Sequence, residues 1–319
     1  MDRKLLSWVN DRNAEGIKPL EIAAAVAREA AKQKGLPLDG NQPDLLNIGT
    51  VHAPKETEYT ADMIGSVYEQ SLDSSARRHG GVHYTPYEVA KRLARIALSE
   101  LPFGPICDPS VGGGAFLLAA AEYLSEKGVS PKKIIEEYLW GIDLDQGAIE
   151  VSRASISIWG STKVWIPVNE HFAVANSLQS GMRSFLVPPK KGFIAVIGNP
   201  PFQNQLQETT VRPIEETQKL REKWNVNAGP YADTASYFLL VGLSMLGPKG
   251  KCLLIQPQSI LAAVDAKPIR DKLNQEAALE GIWIGGPDIF EAGVNVCAPL
   301  LSKDLRQSPA DIWIGTEIT

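Results

Sequence analysis

Asn199, Pro200, Pro201 and Phe202 stand together at the end of a short apolar run, Ile194-Ala195-Val196-Ile197-Gly198. The Asn199 side-chain carbonyl is one hydrogen-bond acceptor. The Pro200 carbonyl is a second, held rigidly by the proline that follows. Two converging acceptors can grip both hydrogens of an exocyclic amino group and localise the nitrogen lone pair. The Phe202 ring offers a planar base a face to stack on. The same four residues also make an ordinary strand-to-loop turn, so the rest of the chain must decide. Two other groupings carry chemistry. In Asp108-Pro109-Ser110-Val111-Gly112-Gly113-Gly114-Ala115-Phe116 a carboxylate precedes a glycine turn, where a backbone can approach a ligand closely. Its spacing is not the G-x-G-x-x-G of a dinucleotide site. Leu139-Trp140-Gly141-Ile142-Asp143-Leu144-Asp145 ends in two acids. A carboxylate there can accept from both ribose hydroxyls, while Asp145 can instead cap the next helix.

These groups need a sheet to position them. Each lies at the end of a short apolar, β-branched run and before a helical pattern, which predicts parallel strands joined by crossover helices. Helices are expected over Tyr87–Leu98, Ala115–Lys127, Gln146–Trp159, Asp233–Leu246 and Ala266–Gln275. For the first, Thr85 is the expected N-cap, Pro86 the first helical residue and Glu88 a first-turn acid. A third strand ends at Val174-Ala175-Asn176-Ser177-Leu178. Later strands are expected over Lys251–Pro257, after a Pro248-Lys249-Gly250 turn, and over Gly281–Ile284, with a final hairpin over Asp288–Leu301. Residues 203 to about 230 are polar and read equally as a loop beside the site or a solvated helix over Ile214–Trp224. Residues 1–75 read as helical, with an alanine-rich helix opening at Pro19 and another over Tyr59–Leu72. Such a segment is a packing layer or a module for a partner or DNA. Arg77 and Arg78 are candidate phosphate contacts, or simply solvated charges.

Composition narrows the classes. At 319 residues, 44% hydrophobic and 22% charged, the chain has the profile of a globular protein. It has no apolar run long enough to span a bilayer. Cys107, Cys252 and Cys297 are scattered and the four histidines lie far apart, which argues against disulfides and a metal site and for the cytoplasm. The net charge of -5 lacks the global basic footprint of a stand-alone duplex-DNA binder. Any grip on DNA is therefore local, or comes from another domain or subunit.

The Asn-Pro-Pro-Phe motif resembles the catalytic motif of S-adenosylmethionine-dependent amino-methyltransferases, above all the N6-adenine DNA methyltransferases. Asp-Pro-x-x-Gly-x-Gly-x-Phe resembles their first motif, and His83-Tyr84-Thr85-Pro86 the element that closes over the methionine end of the cofactor. Their order along the chain is similar to that of the gamma class, which includes type I modification subunits and fused restriction-modification enzymes. The resemblance covers residues 75 to about 303. It implies a Rossmann-like α/β fold: a mostly parallel seven-stranded sheet with one antiparallel strand and helices on both faces, preceded by the small helical region. The implied division is 1–75 helical region, 76–303 catalytic domain and 304–319 the start of a truncated or missing C-terminal region.

By the same resemblance the chain is an adenine-specific DNA methyltransferase of a restriction-modification or phage-defence system. S-adenosylmethionine is the implied cofactor. Tyr84, Thr85 and Pro86 would close over its methionine, with Asp108, Pro109, Ser110, Gly112, Gly114 and Phe116 forming the first-motif loop. Asp143 would hold the ribose, with Leu144 against the adenine ring and Asn176 and Ser177 at its edge. Asn176 replaces the aspartate usual in the family. Asn199, Pro200, Pro201 and Phe202 are the implied catalytic motif, Asn199 also bordering the cofactor. Phe290 is a candidate for the second face of a flipped base, or a core residue. Target recognition is expected from a separate or missing domain or subunit. The alternatives are a non-autonomous cofactor-binding subunit, or an amino-methyltransferase acting on RNA or on protein glutamine.

Overall fold

A computed structural model describes residues 3–72, 85–168, 170–202, 214–229, 232–286, 289, 295–305 and 309–315. Tyr84, Phe290, Arg77 and Arg78 lie outside the described residues, as does much of the segment 203–230 and of the expected hairpin. The strands are β1 Ile106–Asp108, β2 Leu139–Asp143, β3 Phe172–Val174, β4 Phe193–Gly198, β5 Leu246–Leu254, β6 Gln256–Pro257, β7 Ala278–Ile284, β8 Val296–Ser302 and β9 Asp311–Ile314. They form one sheet in the order β3-β2-β1-β4-β5-β8-β7-β9, with β6 paired to β8. β3, β2, β1, β4 and β5 are mutually parallel, and β8 runs antiparallel between β5 and β7. The seven strands from β3 to β7 are the expected sheet with its one antiparallel member. The sheet also continues beyond residue 303, because β9 pairs in parallel with the edge of β7. Four residues are too short a run to stand out by periodicity.

The principal helices are α1 Arg3–Ala14, α2 Pro19–Gln33, α3 Ala61–Ser71, α4 Tyr87–Leu98, α5 Ala115–Glu126, α6 Gln146–Gly160, α7 Ile214–Trp224, α8 Thr234–Met245 and α9 Lys267–Glu276. Strand alternation sends side chains to opposite faces. Ile106, Ile197 and Leu253 join α4 and α5 in one core, while Cys107, Val196 and Leu254 join α8 and α9 in the other. The amino-terminal helices form a third cluster that takes in Ala148, Val151 and Ala154 of α6. They are thus packed on α6, one of the helices that cover the sheet, and α3 reaches the site.

Two local expectations are corrected. Pro86 is the cap position of α4 and makes no side-chain cap bond, so Thr85 is not the N-cap and Pro86 not the first helical residue. The Pro248-Lys249-Gly250 turn is absorbed into β5 as an irregularity. Phe193 pairs with Leu246 and Ala195 with Lys251, and Lys249 takes φ 61. Among the described residues no helix is long and apolar enough to cross a membrane. No group of three or more His, Cys, Asp or Glu among them could hold a metal ion.

Candidate active site at the carboxyl ends of the strands

β1 has β2 on one side and β4 on the other, so chain order reverses there and a crevice opens beyond the strand ends. A cavity of about 620 Å³ occupies it. Asp108, Asp143 and Asn199 reach it because each stands at or just after the end of its strand.

The glycine turn after β1 is held by two carboxylates. Gly112 N–H donates to Asp143 Oδ2 at 2.9 Å, and Gly113 N–H donates to Glu69 Oε1 at 2.7 Å. Asp143 Oδ1 also accepts from Asp145 N–H at 3.0 Å, which ties the acid turn to the glycine turn. Gly114 sits at φ 90 at the cap of α5, a left-handed conformation that glycine adopts without penalty. Asp145 takes the capping role: its Oδ1 accepts from Gly147 N–H at 2.8 Å and its Oδ2 from the Tyr68 hydroxyl.

Glu69 and Tyr68 were not singled out in the sequence. They are consecutive on α3, and one grips the glycine loop while the other grips the cap of α6. The helix can come this close because residue 65 is glycine: a Cβ there would lie 2.3 Å from the Gly113 carbonyl oxygen.

The electrostatics of the cleft are acidic. Asp108 is 1% exposed. Burial pushes its pKa well above the usual carboxylate range, against the bond it accepts from Ser110 N–H, and nearby Asp143 and Glu69 add to the rise. Burial likewise raises Asp143, partly offset by the amides of Asp145 and Gly112. Glu69 is raised to about 7 by burial, with the Gly113 N–H opposing and Asp143 adding. Buried carboxylates close together destabilise one another unless a cation joins them. Ser110 lines the same cavity, and its buried hydroxyl has no hydrogen-bond partner among the described residues. Leu144 lines the cavity while 70% exposed, an apolar surface with little else covering it. A positively charged nucleoside-type ligand fits this donor set: carboxylates for the charge, a free hydroxyl, an apolar face and Asn176 with Ser177 at the far edge. Ser177 is itself fixed, its hydroxyl donating to the Pro109 carbonyl at 2.7 Å.

Just after β4, Asn199 Nδ2 donates to Thr85 Oγ1 at 3.0 Å. That bond commits the NH2 end of the amide and leaves the acceptor role to Oδ1. Thr85, expected to cap a helix, instead orients Asn199. Pro201 and Phe116 line the cavity, whereas Phe202 is 7% exposed within the α4–α5 core and does not line it. α7 covers another side with Lys219, Leu220 and Lys223, and Lys223 Nζ donates to the carbonyls of Leu178 and Gln179.

Residues 59–316 match the family described as N-6 DNA Methylase. Among curated proteins, the Type II methyltransferase M.VspI of Vibrio sp. (strain 343) is 24% identical over 200 residues, 61% of this chain and 41% of that protein. M.MamI of Microbacterium ammoniaphilum is 28% identical over 44% of this chain and 40% of its own length, so the chain spans about two-fifths of the curated relatives it matches. A solved structure from Listeria monocytogenes, described as a class I S-adenosylmethionine-dependent methyltransferase, superposes with TM-score 0.64 at 14% identity, over 99% of this chain and 93% of that one. At this identity the likeness bears on the fold, which is the Rossmann-like methyltransferase fold.

Proposed function

This chain belongs to the N-6 DNA methylase family, and from that premise we propose that it transfers a methyl group to the exocyclic N6 amine of adenine in DNA. The observation that carries the reading is Asn199, held by Thr85 in the wall of an acid-lined cavity. S-adenosylmethionine, when bound, supplies an electrophilic methyl group on a sulfonium. Asp108, Pro109, Ser110, Gly112 and Phe116 would hold it on one side, with Asp143 to accept from its ribose, Leu144 as an apolar face for its base and Asn176 with Ser177 at the base edge. Gly114 acts indirectly, by setting the turn into α5.

The chain's own residues then act on the substrate. Adenine must leave the stack, since an active site cannot reach the lone pair of a base-paired N6 within the duplex. Asn199 Oδ1 and the Pro200 carbonyl accept its two amino hydrogens and hold the nitrogen lone pair toward the cavity. Pro201 keeps that pair of acceptors rigid. Positioning and exclusion of water supply most of the acceleration, so no strong base is required first. Phe202 stacks on the base only if its ring turns out of the core, and the roles expected of Tyr84 and Phe290 fall outside the described residues.

Target recognition comes from a further region or a partner subunit, a reading supported by the net charge of -5, which lacks the basic footprint of a stand-alone duplex-DNA binder. A restriction-modification role is supported by the Type II methyltransferase relatives. Three buried free cysteines suit a reducing cytoplasm. The test is transfer of tritiated methyl to unmethylated DNA, to RNA and to a glutamine-containing protein panel. Label in DNA alone is expected. Label in RNA or protein alone would replace the substrate assignment.

A further inference from the structure

Glu69 stands outside every motif that the reading above uses, and it comes from a helix 44 positions before the amide it binds. We propose that Glu69 is a cofactor-binding residue, its carboxylate pairing with the α-ammonium of the methionine portion while it holds the glycine loop. The inference rests on the methyltransferase reading and adds a residue to that site.

Four observations carry it. Glu69 lines the large cavity, so it is not merely a loop brace sealed behind the site. It shares with Thr85 and Ala115 both that cavity and a small adjoining one, which places it toward the Asn199–Thr85 side, away from Asn176. Its Oε1 accepts from Gly113 N–H at 2.7 Å, which fixes the carboxyl group against the turn; a carboxylate retains further lone pairs for a second donor. The neighbouring Ser110 hydroxyl lacks a partner among the described residues, an independent sign that this corner is built for a polar ligand. Asp108 also lines the cavity, but it is 1% exposed and its Oδ1 is already engaged by Ser110 N–H.

The charges that face Glu69 make it respond to pH. Asp143 and Asp108 lie on the strand side, and Asp145 is held beside them by Tyr68. Asp62, on its own helix, and Tyr87 of α4 line the small cavity, with Glu122 of α5 and Lys91 against Tyr87. Of the lysines in the large cavity, Lys223 is tied to backbone carbonyls and Lys219 belongs to the same α7 face. An ammonium binds the ionised form of Glu69, so affinity rises as pH climbs toward about 7 and levels off beyond it.

The test uses the full chain and three ligands, titrated calorimetrically between about pH 5.5 and 7.5 around the range set by Glu69. S-adenosylmethionine carries sulfonium and ammonium, S-adenosylhomocysteine only the ammonium, and 5′-methylthioadenosine neither. Glu69→Gln keeps an acceptor for Gly113 and removes only the charge. Loss of one charge-assisted hydrogen bond predicts about ten- to a hundredfold weaker binding of the first two ligands and unchanged binding of the third. The rise in affinity with pH should also flatten. Unchanged 5′-methylthioadenosine binding shows that the variant is folded; Glu69→Asp, which keeps the charge, should retain the pH response. Equal weakening of all three ligands, or of none, overturns the proposal, as does weakening of S-adenosylmethionine alone. Failure of the wild-type protein to bind any of the three overturns the methyltransferase reading along with it.

Discussion

Replacing Gly198 with alanine tests whether the acid cleft depends on the close approach of β4 to β1. The added Cβ would lie 2.4 Å from Asp108 Oδ1, 2.9 Å from its carboxyl carbon and 3.2 Å from Oδ2. Ordinary contact is about 3.5–4.0 Å, so something must move by roughly 1 Å. Asp108 cannot swing away freely, being 1% exposed and bonded to Ser110 N–H at 3.0 Å. β4 is held as well, pairing with β1 through Ala195 and Val196 and with β5 through Ile197 and Gly198. Overpacking of this kind costs about 1–3 kcal/mol. At about 2–4 °C per kcal/mol for a large domain, that is a fall of roughly 2–12 °C in Tm. The displaced carboxylate should also weaken S-adenosylmethionine about tenfold or more, the effect of about 1.4 kcal/mol of lost interaction. Thermal melts followed by circular dichroism and a calorimetric titration measure both. A variant with wild-type Tm and wild-type affinity would refute the claim that Asp108 is locked under Gly198.

Three further outcomes follow from the same geometry. Gly65→Ala pushes a Cβ to 2.3 Å from the Gly113 oxygen, backbone that cannot yield locally, so α3 should lift from the loop; melts should show a loss of about 1–3 kcal/mol and titration a weaker cofactor. Thr85→Val removes the acceptor that orients Asn199; steady-state kinetics should show kcat down about fivefold, the worth of one hydrogen bond of about 1 kcal/mol, with little change in Tm. For Glu69, the folded pKa near 7 lies above the ordinary 4.5, so the folded state binds the extra proton. The cost to stability is absent below about 4.5, grows as pH rises and is complete above about 7. Ligand-free Glu69→Gln should therefore melt higher than wild type at pH 8, with the difference vanishing at low pH.

The sequence carried the strand ends well. Asn199, Asp108 and Asp143 are each announced by an apolar run that stops at a polar residue and a turn, signals that are local. Thr85 was legible as a polar residue before a helix but not as the hydrogen-bond partner of Asn199, because Asn199 is 114 positions away. Glu69 and Tyr68 gave no signal at all: on an amphipathic helix they look like solvated polar positions, and only the tertiary approach allowed by Gly65 turns them toward the cleft. Phe202 shows a competition that the sequence hides: an aromatic beside such a turn reads as a stacking platform, while the α4–α5 core takes the same ring. β9 was missed because four residues carry too little pattern, and its pairing depends on the edge of β7.

The most direct test is the identity and rate of the methylated product with wild type and Asn199→Ala, each confirmed by titration to bind cofactor. Unmethylated DNA is incubated in single-turnover mode, digested to nucleosides and analysed by mass spectrometry. Wild type is predicted to yield N6-methyladenine, and Asn199→Ala to form it about a hundredfold or more slowly, as for loss of one preorganised polar contact to the reacting group. Equal rates in the two proteins, or a methyl group found elsewhere than N6, would contradict the account.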